Sequence, residues 1–592
     1  MTEMLIKPPC LKGVAAASAR LPGSPRITGK LAASALLFLS GGLACAATSG
    51  NAVLADMSLE ELANIEIISV SKRPESLADA PASVFVITAE EIRRSGAATL
   101  PEAMRLAPNL QVAQVDARNY AVSARGFNNP FANKLLVLID GRTIYSPLFS
   151  GVFWDAQDVV LEDISRIEVI SGPGATLWGA NAVNGVINII TKPAADTQGM
   201  LAAAGASHRE KTGVVRYGGA LEGGGHYRVY GKVAEGNDSR NGAGADVLTG
   251  WRRQQTGFRT DWSDASQQVT LQGDAYRGAL HQAGTADIDI GGANLNGRIT
   301  TRLGSDASLS VQLILDYTER KQPAAFAEYL HTLDAQVQHS VRLGDIHQLV
   351  WGGGYRMTLD HVRNENAFAF LPGAETLHWA NIFVQDEIEL SRKLRLTAGV
   401  KVENDTHTAT EVLPTLRLAW KPAPDKLLWT SVSRAARTPS RIDRDFYMPS
   451  SPPVVNGVPQ YALAGGPDFR SRSPMCSNWV TGRSRVPRCP GRLPCLPAAT
   501  IACGRSNPTR TARARCFATR PVLRPRASRH GAPGNPHRTG ACRSAAWRSV
   551  SVPRCCREAR IVAAAPAWST ATRPITGCCV RRMTWRRARN WT

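Results

Sequence analysis

The stretch RIEVISGPGATLWGANAVNGVINIITK, residues 166–192, decides how the rest of the chain is read. Two β-branched runs, Ile164 to Ser171 and Val186 to Thr191, read as buried strands on either side of a glycine-rich middle. Gly172, Gly174, Gly179 and Gly185 suit positive φ or close backbone approach. Their spacing is not that of a phosphate loop, and no Lys-Ser/Thr pair follows. With no obvious nucleophile, base or metal ligand, the segment reads as architecture.

Upstream, LLVLID (135–140) is a third buried strand, with Gly141 turning the chain after it. EEIRRSGAATLPEAMR (90–105) reads as two short helices broken at Gly96, with Pro101 opening the second. Residues 74–193 therefore form one small mixed α+β domain. Before it, MSLEELANIEIISVSK (57–72) starts as an acidic helical pattern and turns β-prone at Ile65.

Downstream of Gly199 the period becomes two. In LSVQLILDYTE, Leu309, Val311, Leu313, Leu315 and Tyr317 fall on one face, opposite Ser310, Gln312, Asp316 and Thr318. QVTLQGDAY and KLRLTAGVKVE alternate in the same way, each for roughly 9 to 11 residues, the length of a tilted membrane strand. LRLAWKPAPDKLLW adds a hairpin with Trp420 and Trp429 where an interfacial aromatic girdle lies. A soluble β-sandwich alternates too, and this pattern alone leaves it open.

The N-terminus weighs against a cytoplasmic sandwich. Basic residues precede LAASALLFLSGGLACAA, and Ala44-Cys45-Ala46 fits a cleavage site, so residues 1–46 read as an export signal. No later run reaches 18 apolar residues, which leaves a barrel as the route to a membrane role.

The net charge of +22 is unevenly placed. Residues 471–592 carry 25 Arg, no Lys and one acid, Glu558, while the preceding 470 residues are nearly neutral. Ten of the 12 cysteines also lie in this tail, so the first 470 residues offer no disulfide framework or metal cluster, and the tail has no C-x2-C pair, which argues against zinc. The histidines form no close pair, and no metal or other cofactor is expected.

The ordered blocks SVFVITAEEIRRSGAATLPEAMRLAPNLQV (83–112), SARGF (123–127), LIDGR (138–142) and residues 166–192 closely resemble the plug of TonB-dependent outer-membrane receptors. FVQDEIEL (383–390), LPTLRLAW (413–420) and SVSRAARTPSRIDRDFY (431–447) resemble the family's barrel. The resemblance implies a membrane β-barrel of about 22 strands around an α+β plug. Residues 47–73 would be a periplasmic segment, 74–193 the plug and 200–470 the N-terminal part of the barrel. It implies a transporter, not an enzyme, for a scarce cargo such as a ferric siderophore; cobalamin, haem and oligosaccharide remain open. The implied partners are TonB with ExbB/ExbD, the barrel-assembly machinery and outer-membrane lipid, with no nucleic acid.

Ile65, Glu66, Ile67, Ile68, Ser69 and Val70 resemble the TonB box, a segment that pairs with the periplasmic partner as an added strand. Arg125, Gly126, Asp140, Gly141, Gly172, Gly174, Gly179, Asn184 and Gly185 are the implied structural residues of the plug. Ser171 stands where the family commonly has Arg, removing one charged plug–wall contact. Tyr120, Phe127, Phe131, Tyr145, Phe149, Phe153 and Trp154 cluster between plug blocks and are the candidate cargo contacts.

The tail has no counterpart in this picture. Reading allowed codons for residues 476–487 from their third base can give Phe-Glu-Leu-Gly-Tyr-Arg, a familiar barrel strand of the family, and the same offset gives another strand from residues 499–508. We expect a frame change between Pro467 and Cys476, with 471–592 an unstructured, out-of-frame product. Each Arg facing lipid at the midplane costs roughly 2 to 4 kcal/mol, so the tail is no substitute for the missing wall. A passive porin remains the alternative from periodicity, and a nucleic-acid binder rests on the tail alone.

Overall fold

The computed structural model describes residues 65–466 apart from 409, 424, 425 and 456, together with Phe469 and the backbone of Met475–Val480 and Ala502–Cys503. The expectations for residues 1–46, for 57–64 and for nearly all of 471–592 lie outside the described residues.

Five strands make the sheet of the N-terminal domain: β1 Ser83–Thr88, β2 Leu135–Ile139, β3 Arg142–Thr143, β4 Ile164–Ser171 and β5 Gly185–Thr191, in the order β1-β4-β5-β2-β3. β2 runs parallel to β5, and the other pairs are antiparallel. Alternation along LLVLI then serves two cores. Leu135, Val137 and Ile139 join Ile87, Ile167 and Ile189 on the face that carries helices α1 Ala89–Ser95 and α2 Leu100–Met104. Leu136 and Leu138 point the other way, to Val186, Ile170 and the incoming Ile67 and Val70.

Local signals set the boundaries. Thr88 and Glu91 form a reciprocal capping box at the start of α1, and Gly96 ends it in the left-handed region at φ 68°. Asp140 (φ 48°) and Gly141 (φ 84°) form the two-residue turn from β2 to β3, the hairpin turn that Asp-Gly favours.

From Gly199 onward the chain runs up and down as one antiparallel sheet of 15 strands, first Gly199–Ala206 and last Met475–Val480 and Ala502–Cys503. The two last strands qualify the expectation that the sheet stops at 470. The edge of Lys426–Arg434 presents unpaired backbone groups, and Met475–Val480, an Arg-free stretch of the tail, pairs with it. The first and last strands are not joined to each other, so the described barrel is open.

The faces of this wall are inverted relative to a soluble sandwich. Val311, Leu313 and Leu315 are 43%, 49% and 47% exposed on the outside, whereas Gln312 between them is buried against the plug. Asn296, Gln385, Thr397 and Lys401 are likewise buried inside. An apolar exterior around a polar interior is the pattern of a transmembrane barrel. Among the described residues no helix is long and apolar enough to cross a membrane.

Candidate functional site

The plug sits inside the wall and is fastened to it by charges. Asp163 meets Arg216 and Arg228, Asp158 meets Lys232 (2.8 Å) and Arg253, and Asp155 takes both terminal nitrogens of Arg320 (3.1 and 2.9 Å). Although burial opposes it, Arg253 and Lys232 hold the Asp158 carboxyl below its usual range. The Asp140 turn abuts the wall: its carbonyl accepts from Asn296 (3.2 Å), Arg298 (3.0 Å) and Gln312 (3.1 Å), while its carboxylate binds Thr191.

A Cβ at Gly141 (φ 84°) would lie 2.5 Å from Arg298 and one at Gly179 (φ 80°) would press on Glu403 and Lys401, so a side chain at either is strained in the backbone and displaces the ends of wall side chains. Gly172 and Gly126 also have positive φ, while Gly174 and Gly185 pack too closely against the plug for a Cβ. Asn184 donates to the Ala124 carbonyl (2.9 Å), and Arg125 is exposed at φ 60°. Ser171 accepts from Asn109 (2.7 Å) within the plug, and the acids named above make the wall contacts.

The two rims of the wall differ. Connections at 237–250, 281–287, 365–373 and 435–466 are long, whereas those at 264–266, 303–306, 344–346 and 392–393 are tight turns. At the long-loop rim a chamber of about 350 Å³ opens above the plug. Plug residues Tyr120, Phe131, Phe149, Phe153 and Trp154 line it, together with Phe326, Phe368, Phe370 and Phe446 from the wall and its loops. The rings pack edge to face: Phe131–Phe149 at 5.5 Å, Phe149–Phe153 at 4.8 Å and Phe370–Phe446 at 5.3 Å between centroids. Burial pushes the Tyr120 hydroxyl up to about 12, so it stays protonated.

One loop folds inward to close the chamber's side. Arg441 is fully buried and bonds Asp360 (3.0 Å) on the wall and Asp445 (2.9 Å) in its own turn. The amides of Arg441 and Ile442 donate to the plug carbonyls of Pro147 and Leu148. This carries Ile442 and Phe446 into the chamber wall.

Two of the seven candidate contacts lie elsewhere. Phe127 is 71% exposed with Lys134 over its ring, and Tyr145 sits deeper, edge-on to Trp379 at 6.5 Å beside a much smaller cavity. Sequence reading missed the wall's phenylalanines and Arg441. The alternation in NENAFAF (364–370) was the available signal, because it sets Phe368 and Phe370 on one side of a loop.

At the tight-turn rim, residues 65–70 are docked rather than free. Glu66–Ile67 pairs with Glu75–Ser76, and Ile67, Ser69 and Val70 are buried. The amides of Ile68 (3.1 Å) and Ser69 (2.9 Å) donate to the Glu168 carboxylate, which Arg166 steadies at 2.7 Å. Trp178 Nε1 donates to the Ser69 carbonyl (2.8 Å), and Asn188 donates to its hydroxyl (2.9 Å). Beyond the segment, Arg73 pairs with Glu387 (2.9 Å) on the wall, and the Lys72 ammonium lies over Trp178 and Phe383. Burial, then the nearby Lys401 charge, lowers the Lys72 pKa to about 7.

Residues 76–186 match the family model described as TonB-dependent Receptor Plug Domain, and residues 198–473 that described as TonB dependent receptor-like, beta-barrel. A vitamin B12 transporter of Vibrio vulnificus is 34% identical over 142 residues, 24% of this chain and 22% of its own. The ferric enterobactin receptor of Pseudomonas aeruginosa is 24% identical over 475 residues, 65% of this chain and 62% of its own. The chain thus spans less than two thirds of these curated relatives. A crystal structure of a mutant of the Pseudomonas aeruginosa ferric enterobactin receptor superposes with a TM-score of 0.56 at 17% identity, covering 68% of this chain and 69% of that one. For the siderophore receptor PirA from Acinetobacter baumannii the TM-score is 0.55 at 16% identity, with 68% of each chain covered. These two likenesses show a shared fold.

Proposed function

The chain belongs to the TonB-dependent receptor family, and from that membership we propose an outer-membrane receptor for energised uptake of a scarce nutrient, foremost a ferric siderophore. The observation that carries the reading is the placement of two features on opposite rims: an aromatic chamber among the long loops and residues 65–70 among the tight turns. Cargo would settle on plug residues Phe131, Phe149, Phe153 and Trp154. Among the described residues the plug occupies the lumen between the rims and is tied to the wall, so passage there would require it to loosen. TonB, energised through ExbB/ExbD, would pair with residues 65–70 as an added strand and pull. The barrel-assembly machinery would place the wall in outer-membrane lipid.

The vitamin B12 transporter of Vibrio vulnificus, 34% identical over its matched stretch, favours cobalamin as a second cargo reading. A passive porin fits less well, because a riveted plug fills the lumen. The test is deletion of residues 66–70 in a gene whose frame is continuous through codons 467–508. Uptake of radioactive ferric chelate should be abolished with barrel assembly intact; undiminished uptake would contradict energised transport.

A further inference from the structure

Resting on the receptor reading, the chamber's electrostatics narrow the class of cargo. Nine of its lining residues are aromatic, and seven of those are phenylalanines with no polar tip. The charged residues among its lining are Arg118, Arg320 and Asp155. Arg320 is already spent: both terminal nitrogens bind the Asp155 carboxylate, and its guanidinium lies 4.5 Å over the Phe153 ring. Arg118 donates one terminal nitrogen to the His281 carbonyl and lies in the field of Asp116, Asp155 and Asp287 with no ion pair to them among the described residues, and its buried Nε has no hydrogen-bond partner there.

The lining therefore carries one net positive charge, held by a single guanidinium that has hydrogen-bonding capacity to spare. A multiply anionic chelate entering here would give up water for ring faces, which carry the negative end of the aromatic quadrupole, and would find one cation to answer several charges. A neutral or singly charged chelate would lose little solvation and cover the same rings.

We propose that the chamber selects a cargo of low net charge, neutral or singly anionic, with aromatic or apolar faces, and discriminates against multiply anionic chelates. Phe131 supplies an exposed ring at the entrance, Phe149 and Phe153 the floor, and Arg118 the one polar anchor.

The test compares two ferric complexes of similar size and the same six-oxygen coordination: the neutral tris(hydroxypyridinone) and the trianionic tris(catecholate). Equilibrium binding of each is measured in detergent on the protein expressed from a gene whose frame is continuous through codons 467–508, at about 0.15 M and 1 M salt, because salt screens non-specific attraction of the trianion to surface cations. Phe131→Ala is measured alongside; Phe131 is 60% exposed, so the change leaves core packing in place, and only Phe131-sensitive binding counts as chamber binding.

The neutral complex should bind at least about tenfold tighter at the chamber, with Phe131→Ala weakening it about fivefold. Phe131-sensitive binding of the trianion that equals or exceeds the neutral complex would overturn the charge selection while leaving the receptor reading intact. Phe131-sensitive binding of cyanocobalamin in preference to both complexes would support the charge selection, since it too is neutral, and would make the cargo a corrinoid in place of a ferric chelate. No Phe131-sensitive binding of any of the three would overturn the chamber as the cargo site, while the receptor reading would still stand or fall by the uptake test on residues 66–70.

Discussion

Glu168 shows how much one residue can be asked to do. It lies in the glycine-rich stretch that reads as pure architecture, yet its carboxylate is fully buried and accepts the amides of Ile68 and Ser69. Hydrogen bonds to a charged acceptor contribute roughly 1.5 to 3 kcal/mol. Glu168→Gln should therefore speed amide exchange at Ile68 and Ser69 by at least about tenfold, while β2 and β5 stay protected. Unchanged exchange there would mean the segment is held by Ile67 and Val70 packing alone. The sequence did not reveal this role, because a carboxylate's partner about a hundred residues away leaves no periodic trace. The glycine roles at 141 and 179 were legible, since backbone geometry is a local property.

Among the elements, the docked segment at residues 65–76 carries two buried groups whose titrations oppose each other. Lys72 falls from the ordinary 10.5 to about 7 through burial, then Lys401 and Arg298, with Asp334 opposing. Glu75 rises from 4.5 to about 6 through burial and the Glu387 charge, against Ser71, Arg73 and Arg395. A raised Glu pKa means the docked form holds its proton more tightly, so docking is firmest below about pH 4.5 and weakens up to about 6. A lowered Lys pKa means the released form binds the proton more tightly, so docking strengthens again from about pH 7 towards 10.5. Protection of residues 65–72, corrected for intrinsic exchange, should pass through a minimum between pH 6 and 7. Glu75→Gln should remove the acid limb and Lys72→Met the alkaline limb; a flat profile would contradict the assignment. Strand and helix positions in the plug were readable from alternation and from Thr88, Gly96 and Pro101. The chamber was half readable: the plug's aromatics cluster in sequence, but Phe326 comes from a wall strand and Phe370 and Phe446 from separate loops far along the chain, the last on the loop that Arg441 ties to Asp360.

For the whole molecule, the inversion of polar and apolar faces identifies the wall, and among the described residues that wall has an open edge. An unclosed sheet leaves backbone groups unpaired in lipid, each costing several kcal/mol. The matched barrel region ends at residue 473, where arginine takes over the composition. The chain as written should therefore fail to run as a heat-modifiable barrel in outer membranes, and resequencing codons 467–508 should reveal an extra or missing base. A confirmed frame together with a heat-modifiable band would contradict this. The period-two pattern could announce a barrel from sequence, but closure is a property of strand number, which no local pattern encodes.

If residues 65–70 are the handle that TonB grips, capture on immobilised TonB periplasmic domain reads it out most directly. Three full-length chains in detergent are compared: unaltered, lacking residues 66–70, and Glu168→Gln. Retention should be strongest for Glu168→Gln, weaker for the unaltered chain and absent for the deletion. Equal retention of all three would contradict the account.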